Sequence, residues 1–277
     1  MQKIKRYIAE TLKKYYSSAE LKTITSILCT DVLGLSKIDI YTCKDINLST
    51  TQADKLRDAV TRLSNNEPIQ YVVGEAYFYG RPFGVKEGVL IPRPETEELV
   101  ALILSENSGQ YSLLDIGTGS GCIAISVAKE NKGAVVEAWD ISPQAIEVAS
   151  LNNRKLGTDI TIKQRDVLTF VPGKENFDVI VSNPPYITTK EQEEMEHNVL
   201  DWEPSLALFV PDNDPLLFYK RIADLGLQML NENGKLYFEI NQYLGKETAS
   251  MLAEKGYRNV VILKDLYGND RIIKSSK

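Results

Sequence analysis

The chain has 277 residues, 43% of them hydrophobic and 25% charged, with a formal net charge of −6. These are the proportions of a soluble globular protein, long enough for one large α/β domain or two smaller ones. The acidic balance argues against a protein that grips a duplex by its phosphates, which carries a basic footprint. Cys29, Cys43 and Cys122 are odd in number and share no C-x-x-C spacing. They read as reduced thiols of a cytoplasmic protein, not as a disulfide frame or a metal site. His197, the only histidine, reads as a surface residue beside the acidic run 191–196. No signal peptide and no bilayer-spanning apolar stretch is evident, so no membrane partner is expected.

Residues 1–73 carry helical periodicity. Ile4, Ile8 and Leu12 fall on one face, with Tyr7 and Tyr15 nearby. Leu21, Ile24, Ile27 and Leu28 make a second face. Ser49 or Thr50 opens a third helix through Leu56, Val60 and Leu63. These leucines and tyrosines are expected in the core of a small all-α domain, and Lys3, Lys5, Arg6, Lys13 and Lys14 on a solvated face. Residues 74–91 alternate aromatics with glycine turns, as a β-hairpin connector does. The prolines of Ile91-Pro92-Arg93-Pro94 then force an extended segment, and Glu95-Thr96 opens a helix. From 92 to 277 strands and helices alternate, the pattern of a parallel α/β sheet. The last two runs, 260–263 and 271–273, suggest a closing antiparallel hairpin.

Within that stretch, Tyr111–Leu114 reads as a strand, Asp115-Ile116-Gly117-Thr118-Gly119-Ser120-Gly121 as a tight turn, and Cys122–Lys129 as a helix. Glycines let the backbone approach a ligand, and the helix start offers N–H groups to an anion. A nicotinamide fingerprint would need glycine or alanine where Cys122 stands. The spacing D-x-G-x-G-x-G instead resembles the S-adenosyl-L-methionine loop of class I methyltransferases. A second strand, Ala134–Trp139, ends at Asp140-Ile141. Asp140 suits both ribose hydroxyls, since Ser142 fits better as cap for the helix beginning near Pro143. A third, Ile160–Arg165, ends at Asp166-Val167. Here Asp166 reads equally as acceptor from an adenine amine, with Val167 on the ring, or as an ordinary loop carboxylate.

The run Phe177–Ser182 is a buried strand that Asn183-Pro184-Pro185-Tyr186 stops at once, because neither proline can donate to a ladder. Asn183 therefore stands at the carboxyl end of a strand, where open α/β sheets bind ligands. Its side-chain oxygen and the Pro184 carbonyl can accept the two N–H groups of a planar amide or base amine. Tyr186 offers an aromatic face for that group.

These segments, with Pro68-Ile69-Gln70-Tyr71-Val72-Val73-Gly74, Ile91–Glu97 and Glu203-Pro204, resemble the HemK-type protein-glutamine methyltransferases, specifically the release factor glutamine methyltransferase family. The resemblance covers essentially the whole chain, and I-P-R-P-E-T-E is its most specific part. It implies a seven-stranded Rossmann-like sheet behind a helical domain that helps dock the protein substrate. It implies S-adenosyl-L-methionine as cofactor and the Gly-Gly-Gln glutamine of class I peptide-chain release factors as target. Asn183, Pro184 and Tyr186 are the expected catalytic groups. Asp115, Gly117, Thr118, Gly119, Ser120, Gly121, Asp140, Ile141, Asp166, Val167 and Asn183 are expected at the cofactor, and Asn183–Tyr186, Arg93 and Glu95 at the substrate. Two positions depart from the pattern: some relatives place tryptophan where Val167 stands, and many read glycine at Asn241.

The expected reaction is direct methyl transfer to an amide nitrogen, with no covalent enzyme intermediate, by a monomer that needs no metal or nucleic acid. For Arg93 and Glu95 a local ion pair is an equal alternative to substrate contact. The run 191–196 with Trp202-Glu203-Pro204 is expected as a loop over the site. An adenine or guanine amino-methyltransferase and a ribosomal-protein glutamine methyltransferase share the same site chemistry. A nicotinamide oxidoreductase and a non-catalytic cofactor-binding scaffold are the remaining alternatives.

Overall fold

The computed structural model describes residues 1–42 and 46–277, the side chains of Glu193 and Glu194 excepted. Cys43, read above as a thiol, lies outside the described residues. The chain forms two compact units: Met1–Glu75 with Glu196–Trp202, and Ala76–Met195 with Glu203–Lys277.

The first unit is helical. Its helices span Gln2–Leu12, Ser18–Ile27, Lys37–Tyr41, Thr50–Ser64 and Ile69–Val73, with a π-helical turn at Leu28–Val32. Ser17, Ser36 and Ser49 each cap a helix through reciprocal bonds with the residue three positions on, satisfying N–H groups that a helix start leaves open. Ile4, Ile8, Leu12, Leu28, Leu56, Val60 and Leu63 pack into one core. Tyr7 and Tyr15 do not join it; they are 39% and 49% exposed. Tyr7 lies about 100° from the centre of the Ile4/Ile8/Leu12 stripe at 3.6 residues per turn, and Tyr15 follows the helix end. Tyr16 points inward instead, donating its hydroxyl to the Leu63 carbonyl at 2.9 Å. His197 is exposed, with Asp201 at 3.9 Å.

In the second unit, β1 (Glu75–Phe78) and β2 (Arg81–Gly84) form the hairpin expected of the connector. Its two-residue turn, Tyr79-Gly80, has positive φ at both positions, as a type I′ turn requires. The main sheet uses β3 (Tyr111–Ile116), β4 (Ala134–Asp140), β5 (Thr161–Gln164) and β6 (Phe177–Ser182). A minor two-stranded parallel sheet, β7 (Ile187–Thr188) with β8 (Phe209–Val210), has no counterpart in the sequence reading. β9 (Leu230–Glu239), β10 (Arg258–Lys264) and β11 (Asp270–Ser276) complete the main sheet. Its order is β10-β11-β9-β6-β3-β4-β5, seven strands. β9, β6, β3, β4 and β5 run parallel, and β11 is antiparallel to both its neighbours.

The apolar runs of the central strands divide between two layers because side chains alternate across a sheet. Leu113, Val179, Val181 and Tyr237 face one cluster, which includes Leu99, Ile103 and Ile125 from flanking helices. Leu114, Ile180, Leu236 and Phe238 face the other, with Tyr219, Ile222 and Leu252. Each fully buried side chain of this size contributes roughly 1.5–3 kcal/mol. Cys29 and Cys122 are buried free thiols. No helix among the described residues is long and apolar enough to cross a membrane.

Candidate active site

β3 is the strand where chain order reverses: β4 and β5 follow it on one side, and β6 lies on the other. The carboxyl ends of β3 and β6 thus flank a topological switch point. The Ser182 hydroxyl donates to the Ile116 carbonyl at 2.6 Å, tying these two ends together.

The glycine turn is anchored to β4. Gly117 and Thr118 donate their N–H groups to the Trp139 carbonyl at 2.8 and 2.9 Å. Gly119 N–H donates to Asp140 Oδ2 at 2.8 Å, and Ser142 N–H to Oδ1 at 2.9 Å. Asp140 is therefore held in place by two backbone donors. Burial raises its carboxyl above the usual range, and those donors oppose the shift. Gly121 has φ +82°, and a Cβ there would stand 2.8 Å from Ile125 Cδ1 and 3.3 Å from Ala149 Cβ. Its missing side chain lets the following helix, Cys122–Glu130, pack closely. Asp115 is fully buried. Its Oδ2 accepts from the Thr118 hydroxyl at 2.6 Å, while Oδ1 has no partner. Burial, with the Asp140 charge adding to it, pushes its carboxyl up to about 7.

Gly117, Thr118, Gly119, Ser120, Asp140 and Ile141 line a cavity of about 390 Å³, together with Asp166, Val167, Asn183, Pro184 and Pro185. That size falls within the roughly 300–1,000 Å³ usual for small-molecule sites. Asp115 and Gly121 do not line it. Asp166 lines the cavity and also caps its own turn, accepting from Leu168 N–H at 2.9 Å. The Asn183 side chain makes no hydrogen bond among the described residues, so its amide is uncommitted. Tyr186 and Glu95 do not line the cavity. The Tyr186 ring packs on the apolar cluster around Tyr219 and Phe238, and burial followed by the nearby Glu239 charge raises its hydroxyl well above the usual range.

Arg93 lines the cavity but does not pair with Glu95. It donates to Glu203 Oε1 at 2.6 Å, and the Glu203 side chain is 1% exposed. Of the segment expected over the site, Pro204 lines the cavity, whereas Trp202 belongs to the first unit. Asn241 has no left-handed backbone, so its position imposes no need for glycine. Sequence reasoning missed Gly88, Gln144, Leu206, Phe218 and Ile222 as lining residues. Only Gly88 carried a signal, as a glycine just before I-P-R-P-E-T-E; the others sit in ordinary helical or loop sequence.

Residues 96–201 match the family described as "Methyltransferase small domain", and residues 4–74 the "PrmC N-terminal domain". A release factor glutamine methyltransferase of Bacteroides thetaiotaomicron is 50% identical over 279 residues, covering 100% of both chains. That of Flavobacterium psychrophilum is 44% identical and covers 98% of each. Among solved structures, a methyltransferase from Pyrococcus furiosus superposes with a TM-score of 0.52 at 16% identity, covering 78% of this chain and 96% of its own; that likeness concerns the fold. With full-length identity of this order to two curated relatives, and a glycine turn and an Asn-Pro-Pro-Tyr segment meeting at one sheet switch point, the chain belongs to the release factor glutamine methyltransferase family.

Proposed function

We propose that this methyltransferase transfers the methyl group of S-adenosyl-L-methionine to the side-chain amide nitrogen of the glutamine in the Gly-Gly-Gln motif of class I peptide-chain release factors. One observation carries the reading: the uncommitted Asn183 amide and the glycine turn 117–120 line the same cavity. The names of the full-length relatives supply the substrate class.

The donor set fits the cofactor. Asp140 keeps lone pairs for two ribose hydroxyls after accepting its two backbone bonds. Ile141, Asp166 and Val167 offer apolar contact and one acceptor to an adenine. Gly117, Thr118, Gly119 and Ser120 give close backbone approach to the amino-acid part, with Asp115 and Gly121 supporting the turn. When bound, this group supplies a methyl carried on a positively charged sulfur.

The protein's own work is to present the nucleophile. An amide nitrogen is weak because its lone pair is delocalised into its carbonyl. Asn183 Oδ1 and the Pro184 carbonyl accept its two N–H groups and fix its orientation, with Pro185 and the Tyr186 ring bounding the segment. Fixing reactant geometry is worth at best roughly 7–11 kcal/mol. The same two oxygens stabilise positive charge developing on nitrogen. The proton leaves after transfer, so no strong general base is required. Arg93 acts through Glu203, bracing the wall, and Glu95 is left available to the substrate loop.

The test is methyl transfer from labelled cofactor to a purified class I release factor, against the same factor with its Gly-Gly-Gln glutamine replaced. The expected result is one added methyl on that glutamine, located by mass spectrometry and absent in the replacement. Transfer to RNA, DNA or a ribosomal protein instead would overturn the substrate and keep the cofactor.

A further inference from the structure

Asn241 follows the carboxyl end of β9 and is 5% exposed. Its side chain is committed in three directions. Oδ1 accepts from Tyr243 N–H at 3.0 Å. Nδ2 donates to the Tyr186 carbonyl at 3.2 Å and to Glu191 Oε1 at 3.0 Å. Glu191 uses its other oxygen to accept from Thr188 N–H and Thr188 Oγ1, both at 2.8 Å. One buried amide therefore joins the β9 end, the carbonyl of Tyr186 and the cap of the segment that follows β7.

At the opposite end, the Ser182 hydroxyl holds the chain to Ile116. Between these two anchors lie Asn183, Pro184 and Pro185. The prolines hold φ near −65°, which leaves the φ of Asn183 and Tyr186 and the ψ angles between the anchors as the soft torsions. The bond to the Tyr186 carbonyl restricts that remaining freedom. The acceptors proposed to orient the substrate amide lie inside this doubly anchored stretch, and Asn183 has no side-chain bond of its own to hold it.

We propose that Asn241 is a positioning residue for methyl transfer: through the Tyr186 carbonyl it sets the direction of the Pro184 carbonyl and the Asn183 side chain. This rests on the function proposed above. Asn241 does not line the cavity, so its effect should appear in kcat and spare binding.

The experiment compares wild type, Asn241→Ala, Asn241→Asp and the double variant Asn241→Asp/Glu191→Gln. Four quantities are read: kcat, KM for the protein substrate, cofactor Kd and hydrogen exchange across residues 186–189. Asn241→Ala is expected to lower kcat about 10-fold, with KM and Kd within about twofold, and to raise exchange. Asn241→Asp turns a donor into an acceptor against the Tyr186 carbonyl and the Glu191 carboxylate, and lowers kcat further. Glu191→Gln restores a donor between the pair and recovers part of that loss. An unchanged kcat in Asn241→Ala overturns the proposal. So does a parallel fall in kcat and cofactor affinity with no recovery in the double variant. Absence of wild-type transfer to the release factor is a separate result that overturns the substrate; the kinetic comparison then uses the substrate the wild type does methylate, and hydrogen exchange reads the anchor without any substrate.

Discussion

Replacing Arg93 by alanine separates a brace from a substrate contact. In the folded protein the Arg93 side chain, 33% exposed, pairs through its guanidinium with a Glu203 side chain that is 1% exposed. Glu203 Oε2 has only a long bond, 3.4 Å, from Ile91 N–H. Removing arginine therefore leaves a buried carboxylate nearly alone. Breaking a buried pair in this way costs about 3–5 kcal/mol; partial exposure of the arginine lowers the expectation to about 2–3 kcal/mol. For a unit of this size each kcal/mol shifts Tm by about 2–4 °C, so Arg93→Ala should melt about 4–12 °C lower. Urea unfolding followed by fluorescence, with Trp139 buried in the same unit, measures the loss directly. Arg93→Ala/Glu203→Gln should be more stable than Arg93→Ala, because the stranded charge is gone. A stability change under about 0.5 kcal/mol in Arg93→Ala, accompanied by a raised KM for the protein substrate, would refute the brace and make Arg93 a direct contact.

Asn183→Ala should lower kcat by about 100-fold, the usual scale for losing one preorganised polar group at a reacting centre, and leave cofactor Kd within about threefold; calorimetric titration beside steady-state kinetics checks the split. Gly121→Ala places a Cβ at φ +82° against Ile125 and Ala149 and should destabilise by about 1–3 kcal/mol, read by urea unfolding. Asp115 has a folded-state value of about 7 against 3.8 for the free group. The folded protein thus holds that proton more tightly than the unfolded chain, so its contribution to stability falls between about pH 4 and pH 7 and is level above that. Asp115→Asn should accordingly gain on wild type across that window; a pH-independent difference would count against the buried, poorly partnered carboxyl.

The sequence alone determined the local pieces of the site. Gly117–Gly121 between an apolar run and a helix, and two prolines directly after Phe177–Ser182, encode a turn and a strand end through bonds within a few residues. Caps such as Ser49 and Ser142, the Tyr79-Gly80 turn and the alternating apolar runs were legible for the same reason: turn chemistry and periodicity act over short separations. Only the tertiary structure decided which pieces meet. Strand order puts the turn after β3 beside the segment after β6, 66 residues apart where Ser182 bonds to Ile116. Arg93 finds Glu203 rather than Glu95, 110 residues along the chain, and Asn241 reaches back 55 residues to Tyr186. Leu206 becomes a cavity wall from a sequence with no distinguishing pattern. Tyr7 and Tyr15 stay outside a core that their composition favoured, because helix phase and helix length exclude them. Such pairings depend on how strands are ordered and layers packed, and a single polar residue carries no periodic signal to announce its distant partner.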